Sequence, residues 1–366
     1  MSYQPRPGMT IQELDTPALV LDLDAFQYNL QTMASFFADK PCSLRPHIKT
    51  HKCPTIALRQ LGAGAVGITC AKVSEAEVMA NAGIQDILIA NQVTGAVKLD
   101  RLTDLARQSN VMVAVDHLDN VRELEQACRA KNVRLRVLIE VDIGMQRCGV
   151  QSGGEAVRLA QQIADSPHLS FMGLQAYEGH LVLTPDPQER TAKVHESFAL
   201  VRETCELLEK AGLPARIVSG GGTGTYDITG DLPPVNEVQA GSYVFMDCTY
   251  LKVRPEFKPA LTVLTTVVSR SISHGMVVDA GLKAMTKEFG WPQPMGIEGA
   301  SVRYLSEEHG VLDLAEPERV PLRPGDKVSF IPSHCCTTVN LHDQLYVAQS
   351  GLLVDIWPIA ARGCAQ

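Results

Sequence analysis

The sequence predicts an α/β chain, a closed (β/α)8 barrel followed by an antiparallel β domain. Three observations predict it. Eight short apolar runs recur between longer stretches rich in Ala, Leu, Glu, Gln and Arg. Those runs are continuously apolar, as in parallel strands covered on both faces, instead of alternating as in a half-exposed sheet. After Phe245 the texture changes to alternating Val and Thr, with later runs punctuated by Gly and Pro. At 366 residues the chain has room for a barrel and a second domain.

Taken in order, residues 1–24, with the run Ala18–Asp22, read as an N-terminal segment that joins the β domain. Residues 25–250 form the barrel and 251–366 the β domain. The barrel strands are expected at Ser43–Lys49, Ala65–Cys70, Asp86–Asn91, Val111–Asp116, Val137–Asp142, Phe171–Tyr177, Arg216–Gly220 and Glu237–Tyr243. Helical patterns between them include Ser74–Ala82, Leu118–Ala130, Glu155–Ala164 and Glu189–Ala211. The β domain is expected to use Leu261–Ser269, Met276–Ala280, Lys327–Pro332, Gln344–Ala348 and Leu352–Trp357 as strands.

Composition narrows the function. A net charge of −8 with no run of consecutive Lys or Arg excludes a sequence-independent nucleic-acid binder. The longest apolar stretches are strand-sized, well short of the roughly 20 residues that span a bilayer, so no membrane partner is expected. The first 15 residues hold no apolar signal core, and a cytoplasmic location follows as an expectation. Ten Cys scattered without CxxC pairs do not form a disulfide framework.

In a parallel barrel the residues closing each strand line the active face. The first strand closes on Arg45-Pro46-His47-Ile48-Lys49, where a cationic setting would lower the Lys49 pKa and favour imine formation with a carbonyl. A solvated lysine is the plain alternative. The seventh strand opens into Ser219-Gly220-Gly221-Gly222-Thr223-Gly224-Thr225, a turn able to offer backbone N–H groups to a phosphate. It carries neither the P-loop nor the dinucleotide signature, so a small phosphorylated cofactor is expected if it is not merely a flexible turn. Arg147 follows the fifth strand, and Tyr177 and His180 follow the sixth. Arg147 could instead pair with a carboxylate, and the other two could be packed polar residues. Lys49, a phosphate turn, an Arg and a Tyr on one rim are what pyridoxal phosphate needs. In the β domain, His334 and Cys336 lie two apart, so an extended backbone would converge them on one ion, with Cys335 pointing away. Imidazole plus thiolate suits Zn2+, whereas Mn2+ or Mg2+ prefers oxygen; a packed His beside a structural Cys is the alternative.

These residues resemble the metal-dependent fold-type III pyridoxal-phosphate enzymes that include D-threonine aldolase, D-3-hydroxyaspartate aldolase and eukaryotic-type D-serine dehydratase, whose barrel is alanine-racemase-like. The likeness runs through Asp15-Thr16-Pro17, Arg45 to Lys52, Lys72 to Glu77, Arg147 to Val150, Gly220 to Gly224, Gln239 to Tyr243, Asp279 to Lys283 and Glu308 to Gly310. It implies that Lys49 carries the cofactor, that Arg147 faces the pyridine nitrogen, and that Tyr177, Gly222, Thr223, Gly224 and Tyr243 contact the cofactor. It also implies that His334 and Cys336 hold a divalent metal. The implied function is a lyase acting on a small D-3-hydroxy amino acid, with Lys49, His51 and His180 as catalytic candidates, His51 or His180 serving as base. The implied assembly is a homodimer. As the family divides, aldolases usually carry His-x-Asp at the metal positions and dehydratases His-x-Cys. Cys336 therefore points to a dehydratase, while the surrounding Thr338 to Asp343 text is closer to the aldolases, to which the reading leans. A non-enzymatic carrier would need no metal-bearing β domain, and an alanine-racemase-like enzyme would need no metal.

Overall fold

A computed structural model describes residues 3–271 and 273–366; Met1, Ser2 and Ile272 lie outside the described residues. The chain divides into two compact units. One comprises Met33–Lys49, Pro54–Gly241 and Gly363–Gln366, and the other Met1–Thr32, Thr50–Cys53 and Ser242–Arg362.

The first unit is the barrel. Its strands Ile68–Cys70, Asp86–Gln92, Asn110–Val115, Leu135–Glu140, Leu169–Ala176, Ile217–Gly220 and Glu237–Val238 pair in chain order, each parallel to the next, and the last pairs with Ser43–Leu44. The seam back to Ile68–Cys70 has no continuous ladder. It is crossed by a bridge between His47 and Thr69 and by N–H donation from Thr69 to Pro46 O at 2.9 Å and from Val66 to Leu44 O at 3.0 Å. The strand expected over Ser43–Lys49 thus stops at Leu44. Pro46 has no N–H for a ladder, and the chain turns into a 3-10 helix at Ile48–Thr50. The strand expected over Glu237–Tyr243 likewise ends at Val238, with a 3-10 turn at Ser242–Val244.

Leu88, Met112 and Leu138 on three neighbouring strands form a fully buried cluster, which explains their continuous apolar runs. Two of the intervening helices show clear end signals. Pro187–Lys210 starts on Asp186, whose side chain accepts the Glu189 N–H at 2.7 Å, with Pro187 in the first turn. Leu118–Lys131 ends on left-handed Asn132.

The second unit is a nine-stranded sheet that is mixed, not purely antiparallel. Ala18–Asp22 lies between Leu261–Ser269, to which it is antiparallel, and Gln344–Gln349, to which it is parallel. A strand from the start of the chain inserted among later ones need not follow hairpin geometry. The hairpin Ala300–Leu305 and Gly310–Leu314 escaped the sequence reading, because its first strand has no continuous apolar run, with Ser301, Arg303 and Tyr304 exposed. Leu14, Ala18, Val20, Leu264, Ala348 and Leu353 form the core of this unit. The edge strand Leu352–Pro358 is covered by backbone bonds with Gly8 and Met9, each 2.8 Å. None of the ten Cys is in a disulfide. No helix among the described residues is long and apolar enough to cross a membrane.

Candidate active site

In the barrel unit Tyr177 is the hub. Lys49 Nζ lies 5.9 Å from its ring centroid and Arg147 Cζ 5.7 Å. A Cβ placed on Gly222 would sit 3.3 Å from the same ring. Three residues expected on the rim are therefore gathered around the phenol of a fourth. The cationic setting expected for Lys49 is weaker than the text Arg45-Pro46-His47 suggested. Arg45 is buried and spent on Glu237 at 2.7 Å and Asp86 at 2.6 Å. Arg147 stands 3.8 Å from Glu140, whose carboxyl burial pushes up while Gln92 donates to it at 2.7 Å. With its side chain half exposed, Arg147 is held by this carboxylate without being buried by it. His180 is exposed and borders Gly144, where an added Cβ would come within 3.1 Å of Nε2.

The glycine-rich turn is fixed from within. Gly221 has φ +74°, a left-handed conformation that favours Gly, and a Cβ on Gly224 would lie 1.8 Å from Val182 O, which only Gly allows. The Gly221 N–H donates to Glu178 at 3.2 Å, and the Gly222 N–H to Thr225 Oγ1 at 3.2 Å. Gly222, expected in the phosphate cradle, directs its N–H to the Thr225 hydroxyl and lies close to Tyr177. Thr223 is buried in the same turn, next to Gly224. The Thr225 hydroxyl donates to Glu178 at 2.6 Å, and the Thr229 hydroxyl donates to the same carboxyl. Glu178 is fully buried, and burial pushes its pKa up against the pull of these donors. Sequence reasoning passed it over between Tyr177 and His180; an acid directly after an apolar strand was the signal available.

In the β unit His334, Cys335 and Cys336 place their ligand atoms within 4.8 Å of one another. The expected extended run does not occur. His334 is extended, with φ −141° and ψ 130°, but a short helix starts at Cys335, and this keeps the Cys335 thiol in the group instead of pointing it away. Burial, with Cys336 and Asp247 nearby, pushes the Cys335 thiol well up. Cys336 Sγ has Thr50 Oγ1 at 3.3 Å and Ser242 Oγ at 3.8 Å.

Asp247, missed in the sequence, organises the group. It is fully buried, and Oδ2 bonds His334 Nδ1 at 2.8 Å and the Cys335 N–H at 3.0 Å. Oδ1 accepts the N–H groups of Thr249 at 3.0 Å and Tyr250 at 2.9 Å. With Nδ1 engaged, Nε2 is the nitrogen left to bind an ion, the usual carboxylate–histidine–metal order. Its signal, an Asp inside Phe245-Met246-Asp247-Cys248, lies 87 residues away from His334, beyond any spacing rule. His51 is fully buried, and its Nδ1 accepts the Cys53 N–H at 3.1 Å. Tyr243 is fully buried against Phe257, ring centroids 6.1 Å apart.

An amine, a cation, a phenol and a turn of N–H and hydroxyl groups fit pyridoxal phosphate. Imidazole Nε2 and a thiolate fit a borderline-soft divalent ion.

The alanine racemase N-terminal domain family matches residues 21–249, and the putative serine dehydratase domain family matches residues 260–348. The chain is 40% identical to D-threonine aldolase of Arthrobacter sp. over 98% of its own length and 95% of that protein's. It is 37% identical to 3-hydroxy-D-aspartate aldolase of Paracoccus denitrificans, covering 98% and 94%. D-threo-3-hydroxyaspartate dehydratase of Delftia sp. is 31% identical over 90% and 93%. Among solved structures, D-threonine aldolase from Filomicrobium marinum superposes with a TM-score of 0.97 at 41% identity, covering 99% of this chain and 100% of that one. A cysteine-to-alanine mutant of D-threo-3-hydroxyaspartate dehydratase, solved in the metal-free form, gives 0.85 at 29%, covering 96% and 98%. The chain belongs to the alanine racemase N-terminal domain family of fold-type III pyridoxal-phosphate enzymes, in the branch of D-threonine aldolase and its dehydratase relatives.

Proposed function

We propose that this lyase, dependent on pyridoxal phosphate and a divalent metal, cleaves D-3-hydroxy amino acids of the D-threonine type to glycine and an aldehyde. The observation that carries the reading is the grouping of Lys49, Arg147 and Gly222 around Tyr177, in a chain 40% identical to a D-threonine aldolase. Lys49 would hold the cofactor through its ε-amine, Thr223 and Gly224 its phosphate, and Tyr177 its rim. Arg147 would lie at the ring nitrogen, where a guanidinium keeps its proton and so moderates the electron demand of the ring. When bound, the cofactor supplies a sink for the electron pair left as a bond to the substrate Cα breaks. His334 Nε2 and Cys336 Sγ would hold the ion that takes the 3-hydroxyl oxygen, and Asp247 keeps Nε2 turned to that task.

Cleavage requires a base for the hydroxyl proton; the pair from the Cα–Cβ bond stays on Cα, which takes up a proton to become glycine. His180 suits the base role better than His51. His51 Nδ1 already accepts a backbone N–H, which leaves the other ring nitrogen of the neutral imidazole as a donor, whereas His180 is exposed and can exchange protons with water. By family likeness the working form would be a homodimer.

Cys336 favours a second reading, a dehydratase acting on D-serine or D-3-hydroxyaspartate. There Lys49 removes the α-proton, hydroxide leaves with help from the ion, and a 2-oxo acid and ammonia result. The deciding assay supplies D-threonine, D-serine and D-3-hydroxyaspartate separately, with pyridoxal phosphate and Mn2+ or Zn2+. Glycine and aldehyde are expected. A 2-oxo acid and ammonia with no glycine from any substrate would establish the dehydratase.

A further inference from the structure

Glu178 is a buried acid that the proposed chemistry leaves without a task. Removing a carboxyl from water is costly unless hydrogen bonds replace the lost solvent. Here they do: Thr225 Oγ1 donates at 2.6 Å, the Gly221 N–H at 3.2 Å, and the Thr229 hydroxyl completes the set. The Thr225 hydroxyl in turn accepts the Gly222 N–H at 3.2 Å. One carboxyl therefore orders two consecutive N–H groups of a turn in which four of the five residues Gly220 to Gly224 are Gly. Such a turn has wide conformational freedom, and without an anchor that freedom would have to be lost when an anion binds.

We propose that Glu178 is a positioning residue for the cofactor phosphate. It holds the Gly220–Gly224 turn in one conformation, in which Thr223 and Gly224 meet the anion. The inference rests on the pyridoxal phosphate reading. It follows that affinity for the phosphate comes from an ordered turn more than from the number of its N–H donors, since those of Gly221 and Gly222 are already given to Glu178 and Thr225.

The test compares pyridoxal phosphate with pyridoxal, which shares the ring and aldehyde but lacks the phosphate. Both are titrated by absorbance into the full-length wild type and into Glu178→Ala, Glu178→Gln and Thr229→Val, with thermal unfolding recorded for each. Because an unanchored turn would have to lose its freedom when the anion binds, Glu178→Ala should lose about tenfold or more of its preference for the phosphorylated compound. Glu178→Gln, which still accepts at one oxygen, and Thr229→Val, which removes one donor, should each lose less. Affinity for pyridoxal should stay within about twofold. Variants that melt earlier yet keep the wild-type preference would overturn the proposal, because Glu178 would then serve the fold alone. If Glu178→Ala does not fold, an unchanged preference in Thr229→Val and Glu178→Gln overturns it equally. Wild-type protein with no preference for the phosphorylated compound would instead refute the cofactor reading on which the inference stands.

Discussion

Replacing Asp247 with Asn tests the metal centre without changing either proposed ligand. Asp247 makes four bonds, to His334 Nδ1 at 2.8 Å, Cys335 N at 3.0 Å, Thr249 N at 3.0 Å and Tyr250 N at 2.9 Å. An amide has one oxygen. If that oxygen stays with Thr249 and Tyr250, the NH2 group confronts the Cys335 N–H and His334 Nδ1. The stranded backbone donor should cost about 1–3 kcal/mol of stability. At His334 the amide donates to Nδ1, which forces the neutral ring to carry its proton on Nε2, the nitrogen that must bind the ion. Loss of such an orienting carboxylate should weaken metal binding about 10–100-fold, or about 1.4–2.7 kcal/mol. The assay is competition for Zn2+ and Mn2+ against a chromophoric chelator, alongside thermal unfolding of the metal-free protein. Wild-type metal affinity in Asp247→Asn, within about twofold, would refute the assignment of His334 Nε2 as a ligand.

The His334 pKa makes the same centre pH-dependent. Burial lowers it, but the bonds to Asp247 and Cys336 outweigh burial and raise it from 6.5 to about 10 in the metal-free chain. A pKa raised on folding stabilises fully below 6.5, and that contribution is lost as pH climbs to about 10, so the metal-free melting temperature should fall across this window and metal affinity should rise. A melting temperature flat over that range would contradict the pairing. Borohydride treatment of the cofactor-loaded protein should leave the cofactor on the peptide containing Lys49; recovery on Lys52 or Lys283 would displace the assignment. Cys336→Asp should shift the Zn2+ to Mg2+ affinity ratio toward Mg2+ by about tenfold or more, and an unchanged ratio would remove Cys336 from the coordination shell. Retained cleavage in that variant would favour the aldolase, and depressed elimination the dehydratase.

What the sequence determined by itself is whatever rests on local periodicity and on residues close in the chain. Continuous apolar runs alternating with helical patterns located the barrel strands, because a parallel strand buried on both faces has no polar side to display. Lys49, Tyr177 and the glycine turn were readable because a barrel sends the C-terminal ends of its strands to one face, so chain position already implies spatial position. The tertiary structure alone decided what depends on hydrogen-bond partners far apart in sequence. Asp247 meets His334 across 87 residues, and Glu178 meets Thr225 and Thr229 across 47 and 51. The run Ala18–Asp22 was legible as part of the β domain, but which two later strands flank it depends on pairing partners that its own residues do not encode. His334 and Cys336 come together as their spacing suggested, but through a helix that starts between them and not through the extended run expected. A carboxylate is placed by the donors it must satisfy once buried, and those donors become neighbours only when the chain has folded.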